Sequence, residues 1–282
     1  MQSIRKVGSR REFPATFGAM ITTLLSQRSL IWQLSKREVV GRYRGSFMGV
    51  AWSFFNPLFL LTIYTFVFSF VFKARWGHAT VESRSDFAII LFVGMIVHGI
   101  FAESIGRAPG LIVSNANYVK RVIFPLEIIP VSALLSSVFH ACISLLVLLV
   151  AEGLLRQFVP WTALLLPLIL LPLLFATLGI SWFMASVGVY VRDLGQITGI
   201  LITVLLFLSP VFYPISSLPE RFRGWLYVNP LTFVIEEARK VLIFGQMPNW
   251  AGLLAYSVGS ILIAWGGYWW FQRTRKGFAD VL

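Results

Sequence analysis

The sequence predicts an all-α polytopic membrane protein with six transmembrane helices, an amphipathic N-terminal interface helix and re-entrant outer helices before the last span. Three observations predict it. Hydrophobic residues make up 57% of the 282 residues and charged residues 13%, with a mean hydropathy of +0.78, whereas soluble proteins carry about a quarter charged residues. Six apolar stretches lie near the roughly 20 residues that a helix needs to cross about 30 Å of hydrocarbon. The stretch KREVVGRYRGSFMGVAWSFFNP at 36–57 runs a basic, amphipathic segment without a linker into a span free of charge. The chain reads as one domain: a cytoplasmic and interface segment at 1–49, a six-span body at 50–271 and a cytoplasmic tail at 272–282.

From the N-terminus, MQSIRKVGSRREFP is basic but lacks an apolar core followed by a small-residue cleavage site, so no cleaved signal peptide is expected. Apolar residues from Leu24 to Leu34 keep a different phase from those that follow, which predicts two helices with a break near Ser35. Within Lys36–Phe47, at about 100° per residue, Val39, Val40, Tyr43 and Phe47 share one face while Glu38 and Arg42 point opposite. Arg37 and Arg44 flank the apolar face, where long stems can snorkel to lipid phosphates. Gly41 and Gly45 weaken this helix.

The expected spans are Val50–Phe72, Phe87–Ile105, Ile128–Ala151, Trp161–Tyr190, Ile197–Phe212 and Trp250–Phe271. Pro167 and Pro172 predict a kink or an early, interfacial start in the fourth. The fifth is short. With both termini inside, the inner segments 1–49, 107–127, 191–196 and 272–282 hold 16 of the 24 cations and the outer loops 73–86, 152–160 and 213–249 hold 8. That excess predicts cytoplasmic termini in a plasma membrane. The net charge of +12 sits beside apolar spans, so anionic lipids rather than nucleic acid are the expected partners. Cys142 is the single cysteine, which leaves neither a disulfide nor a cysteine-based metal site.

The third outer region is unusual. Between Pro210, Pro214, Pro219 and Pro230 lie Phe222, Trp225, Leu226, Tyr227, Leu231, Phe233, Val234 and Ile235, too apolar for a solvated loop. Two short helices dipping back from the outer face would bury them, and such backbone is tolerated only against protein or a water-filled cavity.

Absences narrow the function. No phosphate loop of the form G-x-x-x-x-G-K-[ST] is present, so ATP hydrolysis by that machinery is not expected. Glu103 is the only carboxylate within the six spans, a thin basis for ion coupling; pairing with Arg107 at i+4 is expected. His98 and His140 are lone imidazoles in apolar runs, where packing is expected, and no catalytic, cofactor or metal residues are apparent. Energy must then come from a partner, and the segment 107–127 suits docking. Asn115 or Asn117 can cap a short helix through Tyr118–Phe124 that Pro125 stops, leaving Lys120 and Arg121 facing the cytoplasm beside an exposed Tyr118.

Three motifs in order, GRYRGSFMGVAWSFFNP at 41–57, NANYVKRVIFPLEIIPV at 115–131 and SPVFYP…LP…NPL within 209–231, resemble those of ABC-2 type permeases, specifically the membrane subunits of O-antigen, capsule and teichoic acid exporters. The resemblance covers roughly residues 25–275. It implies a homodimer of six-span subunits with two cytoplasmic ABC ATPase subunits, moving a polyprenyl-diphosphate-linked glycan across the inner membrane. It implies ATPase coupling at Asn115, Tyr118, Lys120 and Arg121, and an outer gate including Tyr213, Phe222, Trp225 and Tyr227. Arg37, Arg42 and Arg44 are candidates for the lipid diphosphate, as bidentate binders. Trp52, Phe55 and Tyr64 are candidates for a channel wall, since aromatic faces stack on sugar C–H faces with little directionality. An ABC-2 exporter of another cargo, teichoic acid or a drug-like lipid, is the alternative. A membrane enzyme acting on polyprenyl lipids is disfavoured, because the one adjacent outer acidic pair, Glu236–Glu237, is followed at once by Arg239–Lys240.

Overall fold

The computed structural model describes residues 15–71, 84–120 and 124–282, and every regular element among them is helical. Helix α1 (Phe17–Ser26) starts where the Thr16 hydroxyl accepts from the Ala19 N–H at 3.2 Å, the usual way of satisfying an orphan donor. Helix α2 (Arg28–Arg42) follows after the single residue Gln27. The break therefore lies at Gln27 and not near Ser35. Ser35 sits buried inside α2, donating to the Ile31 carbonyl at 2.8 Å, a bond that a helix accommodates without interruption. The helix also stops at Arg42, short of Phe47. Gly45 adopts φ +82°, a left-handed conformation open to glycine at low cost, and turns the chain toward the first span.

Helix α3 (Trp52–Tyr64) is entered through a 3₁₀ turn at Gly49–Ala51 and continues as π-helix over Thr65–Val71. Helix α4 spans Arg84–Arg107, and after short 3₁₀ turns comes α5 (Ala116–Val119). Helix α6 runs Ile128–Arg156, longer than its expected span. The expected early start before α7 (Leu166–Tyr190) takes the form of a 3₁₀ helix at Trp161–Leu165. Pro167 lies in the first turn of α7, where its missing N–H costs nothing, and Pro172 lies inside it. Then follow α8 (Leu194–Leu208), α9 (Glu220–Leu226), α10 (Pro230–Leu242), α11 (Trp250–Thr274) and α12 (Phe278–Val281).

Among the described residues, five helical stretches are long and apolar enough to cross a membrane: Gly49–Phe68, Asp86–Gly110, Ile128–Arg156, Trp161–Tyr190 and Trp250–Val281. The expected fifth span corresponds to α8, which has 15 residues and ends before Ser209–Pro210. That is shorter than the roughly 20 residues of a full crossing. Helices α9 and α10 match the two short helices expected in the third outer region, but only partly bury it. Leu226, Leu231, Val234 and Ile235 are buried, whereas Phe222, Trp225 and Tyr227 stay exposed. The reason is local: α10 turns one strongly apolar face to α4 and α7, while α9 is too short to dock.

The bundle is organised around α4. Within its apolar stretch 78% of residues are buried, against 17% for the first and last spans, so α4 is an interior post and the first and last spans lie at the periphery. It packs against α6, α7, α8 and α10. Helices α7 and α11 make the other close pair, crossing where a Cβ on Gly267 would collide with the Gly179 carbonyl. Small residues let membrane helices approach in this way. The neighbouring Gly266 faces open space. Gly267→Leu should lower the thermal-melting midpoint of the detergent-purified protein, at a cost of about 1–3 kcal/mol or more from overpacking, while Gly266→Leu leaves it unchanged.

Candidate functional site

The sequence carries the pattern E-x-x-G-R twice, EVVGR at 38–42 in α2 and ESIGR at 103–107 in α4. Residues four apart share one helix face, so each helix offers an acid and a base in line. The two are matched antiparallel. Arg107 Nη2 donates to Glu38 Oε2 at 2.5 Å, and Arg42 Nη1 donates to Glu103 Oε1 at 2.5 Å. The expected Glu103–Arg107 pairing within α4 is thus replaced by pairing across helices. The charges of α2 continue the stripe of its buried Ile31, Leu34 and Ser35 and turn toward protein, while Trp32 and Val40 on the other side remain exposed. Phe47, expected on the apolar face, is fully exposed, since it lies beyond the helix end.

His140 of α6 joins this cluster and is not a lone packing residue. Its Nδ1 lies 3.0 Å from Arg42 Nη1 and 3.3 Å from Glu103 Oε1, and its ring meets Tyr43 edge-on at 5.9 Å. Burial pushes the Tyr43 phenol above its usual pKa, with Arg42 pulling it down and Glu103 pushing it up. Trp52 lines the cavity beneath this cluster, which measures about 360 Å³.

Next to the cluster, α2 also grips the segment after α4. Arg37 Nη1 donates to the Tyr118 hydroxyl at 2.7 Å, and Tyr118 stacks on Phe124 at 4.3 Å. Tyr118 is therefore half-buried rather than exposed. Asn115 precedes α5 but does not cap it with its side chain; its amide instead donates to the Leu111 carbonyl at 2.9 Å. The short helix covers Ala116–Val119 only, Lys120 is exposed, and Arg121 lies outside the described residues. From the other side Arg275 clamps the same segment, donating to Glu127 Oε2 at 2.6 Å and to the Phe124 carbonyl at 2.7 Å. Trp182 of α7 adds a bond to the Glu127 carbonyl at 2.8 Å.

The opposite end of α4 holds a second polar constellation. Arg239 of α10, 1% exposed, donates to the carbonyls of Ile90 (3.2 Å), Pro210 (2.5 Å) and Val211 (2.9 Å) and to Glu236 (2.9 Å). One guanidinium thus satisfies carbonyls of α4 and of the turn after α8 while paired with a carboxylate. Burial lowers its pKa to about 10, with Glu236 opposing, so it remains a cation at neutral pH. Glu237 accepts from Lys240 and from the Asn249 N–H, which accounts for both members of the adjacent acidic pair. Arg156 bridges Asp86 at 3.4 Å and Glu152 at 3.2 Å nearby.

The remaining sequence candidates fall in several places. Phe55 packs edge-on against Phe54, and Tyr64 lies beside Phe68, which stacks on Phe87 and Phe212. With Trp52 at the ion cluster, these three aromatics have different neighbours. Tyr213 donates to the Phe207 carbonyl at 3.0 Å. Arg44 is exposed and makes no ion pair among the described residues. Neither the system of Glu38, Glu103, Arg107 and His140 nor the separate role of Arg239 was legible. The repeated E-x-x-G-R was the signal for the first three; for Arg239 none existed beyond its place in an apolar segment.

Arg239→Ala strips three carbonyls and the partly exposed Glu236 carboxylate of their donor, and should cost about 3 kcal/mol or more, read as a lower melting midpoint and poor recovery of monodisperse protein. Arg239→Lys should not rescue it, because an ammonium cannot reproduce the planar fork.

Comparison with known proteins extends the assignment beyond geometry. Residues 29–243 match the family model for the ABC-2 type transporter. Over 263 residues the chain is 27% identical to the O-antigen export system permease protein RfbA of Myxococcus xanthus, covering 93% of this chain and 98% of the relative. It is 26% identical over 230 residues to the polysialic acid transport protein KpsM of Escherichia coli, covering 80% and 86%. It is 25% identical over 222 residues to the capsule polysaccharide export inner-membrane protein CtrC of Neisseria meningitidis serogroup B, covering 77% and 80%. With its match over most of its length and its apolar membrane-crossing helices, the chain belongs to the ABC-2 type transporter family of membrane permeases.

Proposed function

We propose that this protein is the membrane subunit of an ATP-driven exporter that moves polyprenyl-diphosphate-linked polysaccharide, of the O-antigen kind, across the bacterial inner membrane. The observation that supports this most is the near end-to-end similarity to an O-antigen export permease, over 93% of this chain and 98% of the relative. The subunit performs no covalent chemistry; a separate cytoplasmic ATPase supplies the energy. The working unit is a homodimer with two ATPase subunits. Each protomer crosses six times, α8 with the turn after it serving as the fifth crossing, and both termini are cytoplasmic.

The contacts suggest how force is passed on. Segment 107–127 meets the ATPase through Asn115, Tyr118, Lys120 and Arg121. Tyr118 is tied to Arg37, and Arg107 to Glu38, so displacement of this segment pulls on α2. The Arg42–Glu103 pair passes the same motion into α4. At the membrane surface Arg37, Arg42 and Arg44 guide the diphosphate. Arg44 is the strongest of the three for that task, because the other two already have partners within the chain. Trp52, Phe55 and Tyr64 face the glycan path, and Tyr213, Phe222, Trp225 and Tyr227 form its outer gate beside re-entrant α9 and α10.

Deleting the gene should trap glycan-bearing polyprenyl lipid in the cytoplasmic leaflet, and the chain should co-purify with the ATPase encoded beside it. Normal surface glycan in the deletion strain would sink the assignment. Glu38→Arg and Arg107→Glu should each reduce export several-fold, and the double exchange should restore most of it, measured as surface glycan at equal membrane abundance. Arg44→Ala should lower export while leaving the ATPase complex intact.

A further inference from the structure

The cavity beneath the Arg42–Glu103–His140 cluster has more polar capacity than the cluster consumes. Arg42 and His140 both address Oε1 of Glu103, and neither engages Oε2. His140 gives its Nδ1 to the cluster, and its buried Nε2 is closed to a ligand in the cavity. Asn56, on the same wall, makes no hydrogen bond within those residues. Trp52 closes one side and is 41% exposed, with Pro57 and Ile96 supplying apolar surface. At about 360 Å³ the space lies at the small end of the range for small-molecule sites, about 300–1,000 Å³.

Charge decides what such a site takes. The guanidinium of Arg42 is already matched to Glu103, so the two cancel. A phosphate drawn past Arg42 into the cavity itself would lie beside the Glu103 carboxylate, which repels it. An uncharged, hydroxyl-rich ring suits the walls better. Its hydroxyls can donate to the unengaged Oε2 of Glu103 and exchange both kinds of bond with Asn56, while its C–H face lies on Trp52.

We propose that this cavity is a binding site for a single neutral pyranose ring, with Trp52 as its platform and Glu103 and Asn56 as its hydrogen-bonding partners. It rests on the polysaccharide cargo proposed above and assigns the ring a place inside one protomer, next to the α2–α4 ion pairs. Occupancy then bears directly on the contacts that join α2 to α4. The ring reports that a glycan, and not a bare lipid carrier, has arrived.

The test uses the full chain with its ATPase in nanodiscs and measures binding of undecaprenyl diphosphate bare or bearing one N-acetylglucosamine or one galactose. A sugar-bearing lipid should bind roughly tenfold more tightly than the bare one, the worth of about one good hydrogen bond to a charged group. Trp52→Leu should remove that difference and Trp52→Phe should keep it. Glu103→Gln should also remove it and, by freeing the Arg42 charge, tighten binding of the bare lipid. No difference in the wild type for either sugar, or a difference untouched in both Trp52→Leu and Glu103→Gln, overturns the proposal while leaving the export assignment standing. If neither lipid binds but methyl N-acetylglucosaminide does, and Trp52→Leu abolishes it, the saccharide site stands and the lipid-linked cargo falls.

Discussion

Burial of α4 is the constraint on which the other contacts depend. A helix enclosed by α6, α7, α8 and α10 carries its charges at a cost, because an unpaired charge among apolar helices is destabilising by several kcal/mol. Yet α4 carries Asp86 near one end and Glu103 and Arg107 near the other. Each therefore fixes a neighbour: Asp86 fixes Arg156 of α6, while Glu103 and Arg107 fix α2. Even its backbone takes part, since the Ile90 carbonyl receives Arg239 of α10. The surrounding helices are positioned by what α4 needs as much as by shape.

The two ends of α4 serve different purposes. At one, Arg239 is buried, fully paired and surrounded by carbonyls, which makes it a fastener: it moves only if three elements move together. At the other, the pairs between α2 and α4 are partly exposed, on the order of the surface interactions that contribute modestly and can be exchanged. The proposed coupling uses this asymmetry, rigid where Arg239 holds the helices and yielding where the pairs between α2 and α4 exchange. The segment 107–127, held by Arg37 on one side and Arg275 on the other, sits at the yielding end.

Sequence reasoning reached the membrane class, the long spans and the short helices of the third outer region, because these depend on hydropathy, length and proline, all local quantities. It did not reach the partners of the charges. Glu103 and Arg107 stand four apart, and within one helix that spacing favours pairing; only the approach of α2, with the same spacing in reverse, turns both outward. His140 looked like a packing residue because its partners are 37 and 98 positions away in sequence. The helix break moved from Ser35 to Gln27 because the change of phase marks which face meets protein, not where the helix stops.

By itself, then, the sequence determined the solvent for which this protein is built, the rough place of its long apolar helices and the family of permeases to which it belongs. Each follows from composition, from runs of contiguous residues, or from motifs kept in order. The tertiary structure alone decided that Glu38 and Arg42 of α2 face α4, that α4 is the buried post, and that Arg239 is a core residue instead of an outer-loop cation. The physical reason is common to all three. A charge in an apolar protein goes wherever a counter-charge or a carbonyl can meet it, and that place is set by contacts between helices that are distant along the chain.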